Sequence, residues 1–167
     1  MDMLINLNQL PPIPSVKNAR IVRVLPPDHA ALMEFVQRHF GDGWASECRQ
    51  AIAQQPNACF AATYGGRVVG FACYNATAKG FFGPIGVDPA ERGCGIGKAL
   101  LLYCLHAMAW DGYGYAVIGW CDGAADFYRS AGAVEIPGSA PAQSVYSRLF
   151  HLPENEQKEE SSCPSCV

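Results

Sequence analysis

At 167 residues, half of them hydrophobic and 16% charged, the chain is long enough to bury one core and too apolar to stay unfolded. A formal net charge of −3 argues against the basic face of an obligatory nucleic-acid binder, and no apolar run is long enough to span a bilayer. Met1-Asp2-Met3 has neither the basic start nor the small-residue cleavage site of a secretory signal, so a cytoplasmic location is expected.

Residues 1–18 contain Pro11, Pro12 and Pro14 and are expected to form an irregular N-terminal arm. A first strand is expected over 19–25. Pro26-Pro27-Asp28 then opens a helix with Leu32, Phe35, Val36 and His39 or Phe40 at helical spacing. Gly41-Asp42-Gly43 stops it, and Ser46 caps a second helix running to about 55. Two strands, 58–64 and 68–74, turn through Gly65-Gly66, a pair suited to a two-residue hairpin. Alternation from that turn sets Cys59 opposite Ala72 and sends Cys73 to the other face. The next strand, 80–87, is broken by Gly83-Pro84 and Gly86, marks of a bulge or of a closely approaching ligand.

A long helix from about 95 to 110 is apolar nearly all round and should be buried. The short strand 115–120 is parallel to the one before it, which makes a βαβ unit. A short helix over about 123–131 and two strands, 134–136 and 144–150, complete a domain spanning 19–152. The tail, 153–167, is acidic and polar and reads as flexible. Most of the eight cysteines lie in apolar periodic segments as small buried hydrophobes. The lone Cys163-Pro164-Ser165-Cys166 pair lacks the second pair of a zinc site, so no metal is expected.

The most informative segment is Val87-Asp88-Pro89-Ala90-Glu91-Arg92-Gly93-Cys94-Gly95-Ile96-Gly97-Lys98, which joins that broken strand to the long helix. Glycines there remove the Cβ atoms that would hold a ligand off the backbone. The opening amides of the helix have no internal partner, and its dipole makes this end electropositive. A phosphate suits such a site, and Arg92 with Lys98 raises the expectation to a diphosphate. A P-loop is excluded, because Gly97-Lys98 is followed by Ala99 and Arg92 stands where its first glycine would be. A dinucleotide fingerprint is excluded too, because its third glycine would fall on Lys98 or Leu100.

Arg92, Gly95 and Gly97 satisfy Arg-x-x-Gly-x-Gly. With the preceding Val-Asp-Pro, this resembles the acyl-CoA pyrophosphate loop of the GNAT superfamily of N-acetyltransferases. Ala125-Asp126-Phe127-Tyr128-Arg129-Ser130-Ala131-Gly132 is similar to a Phe-Tyr-x-x-x-Gly segment of that family. The resemblance covers about 19–150. It implies an α/β (α+β) fold with a central mixed, mostly antiparallel sheet flanked by helices, and a splayed parallel strand pair that holds coenzyme A. It also implies acetyl-CoA as co-substrate. Backbone groups of Ile85, Gly86 and Val87 would hold the pantetheine, and Arg92, Gly93, Cys94, Gly95, Ile96, Gly97 and Lys98 the diphosphate.

By the same resemblance Tyr128 is the expected acid. A phenol stays protonated at neutral pH and can hand its proton to the departing thiolate. Packing against Phe127 is its ordinary alternative. No carboxylate lies in 79–87, where many relatives carry a glutamate, so the base is open between Asp122, Glu47 and none at all, since an amine that arrives neutral needs no base. Asp122 is as good a helix cap, and Glu47 reads as a surface carboxylate. Cys94 and Cys121 are the only candidate nucleophiles, with no histidine beside either in sequence. Phe40, Trp44, Tyr74 and Asn75 are candidates for the acceptor side. The expected partner is a small-molecule amine, with no nucleic acid and no membrane; association of two copies stays open. A protein-modifying acetyltransferase and a non-catalytic acyl-CoA sensor are the competing functions.

Overall fold

A computed structural model describes residues 1–150. The expectations for the tail, its Cys163 and Cys166, and the domain end at 152 lie outside the described residues. Seven strands form one sheet: β1 (Met3–Asn6), β2 (Arg20–Arg23), β3 (Cys59–Tyr64), β4 (Arg67–Tyr74), β5 (Phe81–Val87), β6 (Tyr115–Ile118) and β7 (Val134–Glu135), in the order β2-β3-β4-β5-β6-β1-β7. Only β5 and β6 run parallel; every other pair is antiparallel. The helices are α1 (His29–Ile52), α2 (Ile96–Trp110) and α3 (Ala125–Arg129).

The expected irregular arm holds a strand. Met3 and Ile5 alternate with Leu4 and Asn6, and β1 lies between β6 and β7, with Met3 opposite both Ile118 and Glu135. Met3 is fully buried and Ile5 nearly so. Four residues ahead of a proline cluster carry too short an alternation to read as a strand, and long-range pairing decides the matter. The expected strand 144–150 is also absent. Its place holds a single 3₁₀ turn, Val145–Arg148, in which Ser144 Oγ accepts from the Tyr146 amide and Ser147 Oγ donates to the Ser144 carbonyl. Such short serine-to-backbone bonds compete with strand pairing.

The two sheet faces are covered by different helices. On one, α1 bends at Gly41 (φ +83°), the expected stop having become a kink. Phe40 and Trp44 pack on Phe71 of β4. On the other, α2 is buried along most of its length and sets Leu100 and Ile96 against Gly70, where a Cβ would lie 3.1 Å from Leu100 Cδ1. No described helix is long and apolar enough to cross a membrane.

The β3–β4 hairpin turns at Gly65 and Gly66, both with positive φ, but its register slips between Ala62 and Thr63. Thr63 faces Val68 and Ala62 faces Gly70, so Val69 is the extra residue of a bulge. Cys59 therefore opposes Cys73 rather than Ala72, and the two thiols share a face. Met3→Ala should lower unfolding free energy by about 2–5 kcal/mol in urea titrations. A peripheral arm would show almost no change.

Candidate active site

The site begins where β5 and β6 separate. They pair only through Phe81 with Val117 and Phe82 with Ile118. Beyond that point β6 follows β1 instead. The Trp120 amide donates to Asp2 Oδ1 at 3.0 Å, and the Cys121 amide to the Met1 carbonyl at 3.0 Å. Trp120 adopts φ +50° to make this turn, a conformation that costs a bulky residue roughly 1–3 kcal/mol.

On the opposite bank, Tyr74 faces Phe82 but Ala72 faces Ile85, so β5 carries an extra residue at Gly83-Pro84. Gly83 takes φ +121°, and Pro84 has no amide to donate. The Asp88 amide donates to the Val69 carbonyl at 2.8 Å, which fixes Asp88 and Gly86 toward β4. Strand alternation then turns the backbone groups of Ile85 and Val87 toward the side that β6 has left. Arg92 Nε donates to the Val87 carbonyl on that side at 3.2 Å.

The loop above the gap is held by local bonds. Asp88 Oδ1 accepts from the Ala90 amide at 2.9 Å and starts the 3₁₀ turn Pro89–Glu91. Gly93 and Gly95 have φ +81° and +83°, and a Cβ at either would meet no atom within 4 Å. These glycines thus border open space. Gly95 is the N-cap of α2 and gives it no side-chain cap. The leading amides of this 15-residue helix therefore face an anion site. Cys94 and Lys98 are exposed on the same loop and first turn. The open space beside these glycines and the backbone-lined gap below it suit an extended, anionic ligand.

Tyr128, on α3, is buried. Its ring meets Phe127 edge-on at 5.0 Å and Phe82 edge-on at 6.3 Å. Phe82 is the last residue of β5 to pair with β6, so this phenol stands where the gap opens.

The other side of the gap is aromatic. Phe40 stacks on Trp44 at 5.1 Å between ring centres and covers Gly86 so closely that a Cβ there would come within 2.5 Å of its ring. Glu47, three residues beyond Trp44 on α1, is half-buried rather than a free surface carboxylate, and it accepts a hydrogen bond from Thr77 Oγ1. Burial raises its pKa, and the Thr77 bond partly offsets this. Tyr146 joins the group. Burial, and secondarily the charge of Glu47, pushes its phenol up to about 12, against a lowering hydrogen bond with Thr77. Its ring packs on Gly119, where a Cβ would come within 2.6 Å, and edge-on to Trp120 at 5.4 Å. Thr77, Trp120 and Tyr146 escape sequence reading because they come from three distant segments and share no spacing.

Other candidates lie elsewhere. Tyr74 faces the α2 side, where its hydroxyl donates to Asp111 at 3.0 Å and accepts from Arg23 at 3.2 Å. Asn75 closes the β4–β5 connection, its Oδ1 accepting from the Gly80 amide. Asp122 pairs with the Met1 amino group at 2.6 Å and caps no helix. Burial pushes the Cys121 thiol up to about 11, which suits packing rather than nucleophilic attack. His106 bonds the Pro11 carbonyl, and His39 stacks on Phe35.

The profile of the acetyltransferase (GNAT) family matches residues 29–133. The chain belongs to the GNAT acetyltransferase family. Solved structures agree. A GCN5-related N-acetyltransferase from Sphaerobacter thermophilus superposes with a TM-score of 0.65 and 27% identity, over 80% of this chain and 47% of that one. The fold recurs at a TM-score of 0.66 and 18% identity in the GCN5-related glucosamine N-acetyltransferase region of a fungal multi-domain GH3 β-N-acetylglucosaminidase, over 80% of this chain and 19% of that one. It recurs again in a GCN5-related N-acetyltransferase from Kribbella flavida, at a TM-score of 0.55 and 16% identity, over 80% and 52% of the two chains. This GNAT chain thus spans about half or less of each of these relatives. No protein with a curated description matches it.

In this GNAT chain the Glu47 carboxyl should titrate above an ordinary glutamate by NMR, and Thr77→Val should raise it further by removing the lowering bond. The linkage sign follows. A carboxyl that binds its proton more tightly when folded adds stability below its unfolded pKa, and that stability is lost as pH rises through the folded value.

Proposed function

We propose that the protein transfers the acetyl group of acetyl-CoA to the primary amine of a small molecule, by direct attack within a ternary complex. The observation that carries this reading is the gap between β5 and β6, bordered by the amides of Ile85 and Val87 and continuous with the glycine-lined start of α2. Backbone groups of Ile85, Gly86 and Val87 hold the pantetheine arm in the gap. The amides of Gly93, Cys94, Gly95, Ile96 and Gly97, with the charges of Arg92 and Lys98, receive the diphosphate.

The reaction needs a neutral amine, an oriented carbonyl and a proton for the leaving sulfur. Glu47 is the candidate base. A carboxylate whose pKa is raised by burial is a better proton acceptor near neutrality than an exposed one. It takes a proton from the incoming ammonium, directly or through water, and Thr77 orients it. The amine attacks the thioester carbon, the C–S bond breaks, and Tyr128 gives its proton to the sulfur. Trp44, Trp120 and Tyr146 around Glu47 favour a compact amine with an apolar or sugar-like face over an extended peptide.

The test is acetyl transfer from acetyl-CoA to a panel of amines, polyamines, amino sugars, amino acids and peptides, read by mass spectrometry. Tyr128→Phe should lower kcat by about 10²–10⁴-fold with acetyl-CoA binding retained, and Glu47→Gln should remove the acidic limb of the pH profile. An active enzyme indifferent to Tyr128→Phe would remove that residue from the mechanism. Tight binding without transfer to any acceptor would point to an acyl-CoA sensor. Gly95→Val places a Cβ into the cradle at φ +83° and should weaken acetyl-CoA binding by about tenfold or more, a loss of at least ~1.4 kcal/mol.

A further inference from the structure

Beneath the acceptor-side helix lies a group of side chains that the transfer reaction does not use. Cys48 of α1, Cys59 of β3 and Cys73 of β4 are fully buried, and their Sγ atoms all lie within 4.8 Å of one another. Three elements converge to make this group, and the bulge at Val69 makes it possible by setting Cys59 opposite Cys73. A second observation points the same way. Among the described residues His29 Nε2 is the buried side-chain nitrogen with no hydrogen-bond partner. It lies close enough to Cys48 for the two side chains to interact electrostatically. The chain brings His29 near this group, because the Val24 amide donates to the Cys59 carbonyl at 3.1 Å and α1 starts five residues later.

We propose that Cys48, Cys59 and Cys73, completed by His29, form a structural site for one zinc(II) ion.

Four donors about 2.3 Å from a tetrahedral zinc lie roughly 3.8 Å apart, so the thiols need to draw in by no more than about 1 Å, and the His29 ring, outside the 4.8 Å group, has to swing in to complete the set. Three thiolates and a neutral imidazole are a recognised structural zinc set, whereas the hard oxygen ligands of magnesium or calcium are missing from the group. Binding is acid–base chemistry without electron transfer. Each thiol still protonated loses its S–H proton to solvent, and three Zn–S bonds and one Zn–N bond form. The complex carries a single net negative charge, less costly to bury than separate thiolates. An ion here would tie the half of α1 that bears Trp44 and Glu47 to the two central strands.

The experiment uses the full chain carrying Cys163→Ser and Cys166→Ser, which removes the tail thiols. It is expressed in zinc-supplemented medium, so that metal can enter before the core closes, and is purified under reducing conditions. Elemental analysis should find about one zinc per chain. Expression with cobalt(II) should give thiolate-to-cobalt charge transfer in the near ultraviolet and the strong visible bands of a tetrahedral site. Chelation should lower the unfolding temperature. Cys48→Ala and Cys73→Ala should lose the metal, and His29→Ala should weaken the tetrahedral bands while charge transfer persists. Clearly substoichiometric zinc together with no charge-transfer band in the parent overturns the proposal, even where the cysteine variants fail to fold. Unchanged zinc in Cys48→Ala, or a Cys59–Cys73 disulfide in the purified protein, overturns it as well. None of these readouts depends on acetyl transfer.

Discussion

The site depends on a competition for one strand. Past Ile118 the chain can continue beside β5 or stay with β1, and the buried Asp2 decides for β1 by accepting the Trp120 amide while Met1 accepts that of Cys121. That choice accepts a left-handed tryptophan and opens the sheet at its middle. On the other bank the Gly83-Pro84 bulge rotates β5 by one residue, so Ile85 and Val87 turn toward the opening instead of Gly86. One strand leaves and the other re-aims. Both changes are needed to give a gap lined by backbone hydrogen-bonding groups in the interior of a sheet.

The electrostatics of the two ends of this gap differ in kind. At the phosphate loop the charge comes from main-chain amides and from two basic side chains, and little protein structure must move to receive an anion. At the acceptor end a carboxylate is held partly out of water beside a hydroxyl and a phenol. There burial disfavours the charged carboxylate and the Thr77 bond partly offsets it. In the proposed reaction an ammonium arriving beside Glu47 would draw that carboxyl further toward ionisation, which would couple acceptor binding to base readiness.

What could be read from the sequence was local. The glycines and Arg92 sit within six residues, and the helix that follows announces itself by its apolar length, so the glycine loop and α2 are legible with their boundaries nearly right. The hairpin turn was legible because Gly65-Gly66 suits only a few turn types. The slip at Val69 was not, since nothing distinguishes that valine from its neighbours until α2 and β5 press on the strand from both sides. Met3–Asn6 and Tyr146 failed for a shared reason: their partners lie more than a hundred residues away (Ile118 for Met3) or in three separate segments. Glu47 is a candidate in the sequence but reads as solvated there, because burial of a helix face that bears Trp44 depends on which way the kink at Gly41 swings.

The position of β1 has a consequence for how the molecule comes to exist. The strands from β3 to β5 are joined by short connections and can zip in sequence as they are made, with β2 added across α1. The other half of the sheet cannot. Its middle strand precedes every other strand of the sheet in the chain, and both neighbours, β6 and β7, come more than a hundred residues later. Until then a short apolar strand waits with both edges bare. Pairings of this range make assembly slow relative to local hairpins, so the half of the sheet that borders the β5–β6 gap waits for distant segments, and the gap takes its shape only when the two ends of the domain meet.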